Sequence, residues 1–218
     1  MQACKSQVVL FDAGESVPSG PSRSAMEFHL IYDGPLSASG RSKGNTSEEK
    51  HAIRIALHPQ LKRLWEVTPV LREWEVWNKN FETQKTKVYL AQRFKSGEHE
   101  FVPLVFQESN LGCALDILFL RYDQPGETLI QSGDIDNRIK ILFDALRIPR
   151  PGEYIGRPED SSEPTYCLLE DDSMISRISV ATDYLLEPNR EKSDVRLIIT
   201  VKVWPVNVTI GSLGNIGF

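Results

Sequence analysis

The sequence predicts a single α+β domain, a mixed β-sheet packed with helices. Three observations carry that prediction. At 218 residues, with 40% apolar and 25% charged residues, the chain can bury one sizeable core and has the balance of a soluble globular domain. Several segments alternate at a period of two, most clearly Val195, Leu197, Ile199, Val201 and Val203. Two others repeat apolar residues at helical spacing: Ile53, Leu57, Leu61, Leu64 and Trp65, then Ile135, Ile139, Leu142, Phe143 and Leu146.

Residues 1–25 are turn-rich and polar, without sustained periodicity, and are expected to form a flexible N-terminal extension. They lack a basic start followed by an apolar stretch, so no secretory signal is expected and the protein is read as cytoplasmic. No apolar run approaches the roughly 18–20 residues that span a bilayer, so no membrane is expected among the partners. Cys4, Cys113 and Cys167 are odd in number and far apart, which predicts three reduced thiols rather than a disulfide framework. His29, His51, His58 and His99 show no metal-ligand spacing.

The domain proper is expected over 26–205. Met26 opens a strand that runs through Tyr32, followed by a Gly/Ser loop carrying Arg41 and Lys43. Thr46 with Glu49 makes a capping box, so a helix should start there, and Pro59 should kink or divide it. Lys50, Arg54 and Lys62 fall on a second face of this helix. A basic stripe near Trp65, Trp74 and Trp77 could follow a phosphate backbone; the same pattern also describes a solvated face over a Trp-containing core. Residues 41–95 hold twelve Lys/Arg against six Asp/Glu, so the net −5 of the chain conceals a basic part and an acidic remainder.

Thr86–Phe94, Phe101–Phe106 and Gly112–Leu120 read as three strands of one sheet, with Pro103 making the second an edge or irregular strand. A helix is expected over Asp136–Arg147 with Asp134 at its N-cap, then a long Pro/Gly/acidic loop. Two strands follow, Met174–Leu186 and Val195–Trp204, and 206–218 form a tail.

The residues that read as chemistry are Asp134-Ile135-Asp136-Asn137-Arg138-Ile139-Lys140 and the later Glu170-Asp171-Asp172. Clustered aspartates are costly through like-charge repulsion unless a cation shares the site, and carboxylate oxygens suit Mg²⁺ or Mn²⁺. Positions two apart on a helix differ by about 200°, so Asp134 and Asp136 can share an ion only if Asp134 precedes the helix. Lys140, one turn beyond Asp136, could meet a phosphate oxygen. Spacing alone equally allows Asp134 to be a cap and Asp136 to pair with Lys140. A calcium EF-hand loop is excluded, because counting from Asp134 its sixth and twelfth positions are Ile139 and Ala145.

Asp134 to Lys140, continuing to Asp144-Ala145-Leu146, then Glu170-Asp171-Asp172 and a closing amphipathic strand, resembles the RusA family of Holliday-junction resolvases. That family shows an Asp-x-Asp-Asn-x-x-Lys-x-x-x-Asp-Ala-Leu helix and an Asp-Asp turn leading into a strand. The resemblance implies a RusA-like fold and a homodimeric, Mg²⁺-dependent endonuclease that cuts branched DNA. It makes Asp134, Asp136 and Asp172 catalytic metal ligands, Asp171 a further possible ligand, Lys140 a catalytic lysine and Asp144 structural. Arg41, Lys43, Lys50, Arg54, Lys62 and Arg138 are the expected contacts to DNA. The alternatives are a non-catalytic nucleic-acid-binding or interaction protein of the same fold, and a nuclease acting on RNA or single-stranded DNA. The chain departs from the family in its N-terminal segment, larger sheet region, longer loop and acidic balance.

Overall fold

The structure, a computed structural model, describes residues 9–10, 26–36, 43–72, 89–122, 133–153, 163–190 and 193–206; at 9–10, 43–45 and 133–134 it describes the backbone alone. In chain order the elements are β1 (Val9–Leu10), β2 (Met26–Pro35), α1 (Lys43–Val67), α2 (Pro69–Arg72), α3 (Leu90–Arg93), β3 (Lys95–Ser96) and β4 (His99–Val105). There follow β5 (Leu111–Arg121), α4 (Gly133–Leu146), β6 (Thr165–Leu169), β7 (Ile175–Tyr184) and β8 (Asp194–Pro205). Short 3-10 turns cover Gln107–Ser109 and Asp172–Met174. The fold is mixed α+β with two sheets. No helix among the described residues is long and apolar enough to cross a membrane.

The larger sheet has the order β1-β7-β5-β8-β2, with β5 and β7 parallel and the other pairs antiparallel. Strict alternation makes this sheet: Val195, Leu197, Ile199, Val201 and Val203 are all buried, and each sits across from a buried residue of β5 from Arg121 to Cys113. The opposite face is half-exposed, and there Asp116 of β5 accepts from Lys202 of β8 at 2.7 Å. The smaller sheet has the order β3-β4-β6, with β4 and β6 parallel. β4 is buried on both faces from Phe101 to Val105, while α1 packs on β2, β6 and α4.

Several expectations change. Val9–Leu10 is not part of a featureless extension, because it pairs with Val180 and Ser179 of β7. Helix α1 begins at Lys43, which puts Thr46 inside the helix, and it runs unbroken through Pro59. The solvent-facing position of Pro59 spares the core from the missing N–H, and Leu57 before it and Leu61 and Trp65 beyond it stay buried. Instead of a strand, Leu90–Arg93 forms a helical turn whose Gln92 side chain accepts from the Tyr89 amide at 3.3 Å. Residues 86–88 of that expected strand, and Trp74 and Trp77, lie outside the described residues.

The strands β4 and β5 belong to different sheets, not one. Pro103 is tolerated because β3 pairs only with His99 and Glu100, leaving β4 with a single neighbour at the proline. Thr165–Leu169, at the end of the expected long loop, forms the strand β6. Cys113 and Cys167 are free and buried, and burial pushes the Cys113 thiol up to about 12.

Parallel strands cannot be joined by a hairpin and need a crossover of a dozen or more residues. Between β5 and β7 that crossover contains α4, β6 and the 3-10 turn that feeds β7. Both acidic segments therefore belong to one crossover of the larger sheet.

Candidate functional site

Helix α4 is held by Leu142, Ala145 and Leu146, all at most 1% exposed, with Ile139 and Phe143 packed beside them. This apolar face turns Asp136, Asn137 and Lys140 outward. Lys140 Nζ donates to Asp136 Oδ2 at 2.8 Å, with both side chains more than half exposed. Such an exposed i,i+4 pair is worth about 0.3–0.5 kcal/mol, so either partner can exchange it for a stronger ligand at little cost.

The second acidic segment is fixed differently at each residue. The Glu170 amide donates to the Val105 carbonyl at 2.9 Å, and Glu170 Oε2 accepts from the Gln107 amide at 2.9 Å. Glu170 therefore ties the end of β6 to the end of β4. Asp171 caps the 3-10 turn by accepting from the Ser173 amide at 3.0 Å. Hydrogen bonds from Ser173 hold its carboxyl below the usual range, with Asp172 and the charge of Arg150 adding to the effect. Asp172 heads the turn and is half-exposed.

Helix α4 and this turn pack against one another, with Cα atoms of the two elements within 8 Å. The helix bearing Asp136 and Lys140 thus borders the turn bearing Asp171 and Asp172. Asp134 is placed otherwise than expected. The backbone is helical from Gly133, so Asp134 lies in the first turn rather than ahead of it, and its side chain lies outside the described residues. Among the described residues no three His, Cys, Asp or Glu side chains converge tightly enough to hold a metal ion. The donors on the rim are nonetheless all carboxylate oxygens, the chemistry that suits a hard divalent ion.

Behind the rim, a charge network that is local in sequence only in its Asp144–Arg147 pair fixes α4. Asp144 meets Lys50 of α1 at 2.6 Å and the buried guanidinium of Arg147 at 2.5 Å. Arg54 of α1 donates to the Asp144 backbone carbonyl at 3.0 Å, and Arg147 also meets Glu153 at 3.0 Å. Burial alone would raise the Asp144 carboxyl, but its bonds from Lys50 and Arg147 outweigh that and hold it below the ordinary range. Asp144 thus has the structural part expected of it, joining α1 to α4 across ninety-four positions of sequence.

The expected DNA-contacting residues are placed as follows. Arg54 and Arg138 are buried, at 2% and 6% exposure, so neither can lie along a phosphate backbone as α1 and α4 are packed. Lys50 is committed to Asp144, and Lys62 pairs with Glu163 beyond the long loop. The basic stripe of α1 is in good part an internal set of helix-to-loop and helix-to-helix ties. Arg41 and the side chain of Lys43 lie outside the described residues.

His58 also serves packing. Its Nδ1 accepts from the Tyr166 amide at 2.9 Å, and burial holds the imidazole below its ordinary pKa. No protein-family model, curated protein or solved structure matches this chain.

Proposed function

We propose that the protein is a divalent-metal-dependent endodeoxyribonuclease acting on branched DNA, as its resemblance to the RusA family implies. The observation that carries this reading is the packing of α4, with Asp136 and Lys140 on its outer face, against the turn headed by Asp171 and Asp172. On that turn the adjacent carboxylates of Asp171 and Asp172 carry charge of one sign, whose repulsion a cation would relieve.

Asp136 and Asp172 would hold Mg²⁺ or Mn²⁺, with Asp171 contributing to the field while it caps the turn; Asp134, inside the helix and about 200° round it from Asp136, is left out of that set. The bound ion supplies Lewis-acid polarisation of the phosphate and acidifies a water. Lys140, released from Asp136 when that carboxylate takes another ligand, is free to pair with a phosphate oxygen and stabilise the charge that develops there. In the reaction a water oxygen adds to phosphorus as one bridging P–O bond breaks, leaving a phosphate monoester and an alcohol. A two-fold dimer would present two such sites to a symmetric junction.

The test is cleavage of four-way junctions, flaps, linear duplex and single strands by the purified chain with Mg²⁺ or EDTA, beside Asp136→Asn. Junctions should be cut with Mg²⁺ and spared in EDTA, and the variant should be slower by roughly 10²-fold or more. If no substrate is cut, or Asp136→Asn cuts as fast as the parent, the nuclease reading fails. Metal-independent, salt-dependent binding without cleavage would indicate a non-catalytic DNA-binding protein.

A further inference from the structure

Arg150 is absent from every pattern that the sequence motif defines, yet the path of the chain brings it to the acidic turn. Arg147 forms a parallel bridge with Leu169, and the Ile148 amide donates to the Leu169 carbonyl at 3.0 Å. That single bridge sets the segment leading to Arg150 beside the end of β6, which leads to the acidic turn. Three residues past Arg147 is Arg150, and three past Leu169 is Asp172.

The backbone of Arg150 is also fixed. Its amide donates to Glu153 Oε2 at 2.9 Å, and the Glu153 amide returns to the Arg150 carbonyl at 2.9 Å. Glu153 is in turn anchored on the buried Arg147. The side chain of Arg150 is exposed, and among the described residues its guanidinium enters no ion pair. By contrast Arg147, Arg190 and Arg196 are all paired with carboxylates.

An arginine on a rigid turn beside two carboxylates has a fork suited to the oxygens of a phosphodiester, which an acidic rim would otherwise repel. We propose that Arg150 is a substrate-binding residue of this site, its guanidinium holding a non-bridging oxygen of the phosphodiester delivered to the rim formed by α4 and the Asp171–Asp172 turn. The inference rests on the nuclease reading for the identity of its ligand, a nucleic-acid phosphate.

Arg150→Ala and Arg150→Lys would be compared with the parent chain in three measurements. These are the salt dependence of four-way-junction binding in EDTA, junction cleavage in Mg²⁺, and Mn²⁺ binding without DNA. For Arg150→Ala the slope of log K against log salt should become shallower by about 0.9, the contribution of one duplex phosphate contact. Cleavage should fall about 10²-fold. Mn²⁺ affinity should be unchanged or higher, because a cation that repels the ion has been removed. Arg150→Lys should restore the slope but not the rate, since an ammonium keeps the charge and loses the fork.

An unchanged slope with cleavage within about threefold of the parent overturns the proposal while leaving the nuclease reading standing. Weakened Mn²⁺ binding also overturns it, because Arg150 would then be positioning the acidic turn. If the parent binds junctions but cuts none, the nuclease reading falls and the slope still decides whether Arg150 touches phosphate. If the parent does not bind DNA, both fall.

Discussion

At Asp144 one carboxylate answers two cations, Lys50 from α1 and Arg147 from just past the end of its own helix. Arg147 is 1% exposed, so removing the carboxylate strands buried positive charge with only Glu153 as compensation. Asp144→Asn should therefore cost about 3 kcal/mol of stability at pH 7, measured by urea unfolding. The pH dependence has a definite sign. The folded-state carboxyl titrates below its unfolded value, so its contribution is complete above about pH 4 and is lost as pH falls through the folded value. The gap between parent and variant should narrow when the same unfolding is repeated near pH 3. A variant gap that is constant with pH would show that Asp144 acts through shape and not charge. Asp136 offers the contrast. Its pair with Lys140 is exposed on both sides, so Asp136→Asn should change stability little while slowing the proposed metal-dependent cleavage roughly 10²-fold or more.

Elements were legible where one face is buried and the other wet. β8 and α4 are of that kind, because the core dictates every second residue of one and every third or fourth of the other. β6 is the opposite case. Cys167, Leu168 and Leu169 are all buried, so its five residues show no alternation. Its partner β4 lies more than sixty positions away and runs parallel, and no turn signal announces such a pairing. The division into two sheets was hidden for the same reason. In the candidate site, the local pieces were legible as motifs, whereas their packing depends on a crossover and on the Lys50–Asp144 tie, both of which join distant segments.

The edge at β2 had no sequence signal either, unlike the one that Pro103 marks in β4. The Gln60 amide of α1 accepts from the Ile31 N–H at 2.9 Å and donates to the Ile31 carbonyl at 2.7 Å, on the side of β2 that faces away from β8. Gln60→Ala should speed hydrogen exchange at the Ile31 amide about fivefold, the equivalent of about 1 kcal/mol, while amides of β8 keep their protection.

For the whole molecule, metal uptake and folding are linked if the acidic rim forms only in the native chain. Mg²⁺ at a hundred times its Kd should then stabilise by about 2.7 kcal/mol and raise Tm by roughly 5–10 °C. Asp136→Asn should remove most of that increase, and an equal increase in parent and variant would place the ion elsewhere. The acidic net charge of −5 does not oppose DNA binding under this arrangement, since the ion offsets part of the charge at the point of contact. The Gln60 contact also matters for how molecules behave in a crowd. A ten-residue outer strand with a half-exposed isoleucine at its middle is a template on which another chain's backbone could add, molecule after molecule. A side-chain amide already seated on Ile31 denies an incoming strand the central donor and acceptor it would need, so the sheet ends at β2 and aggregation through that edge is discouraged.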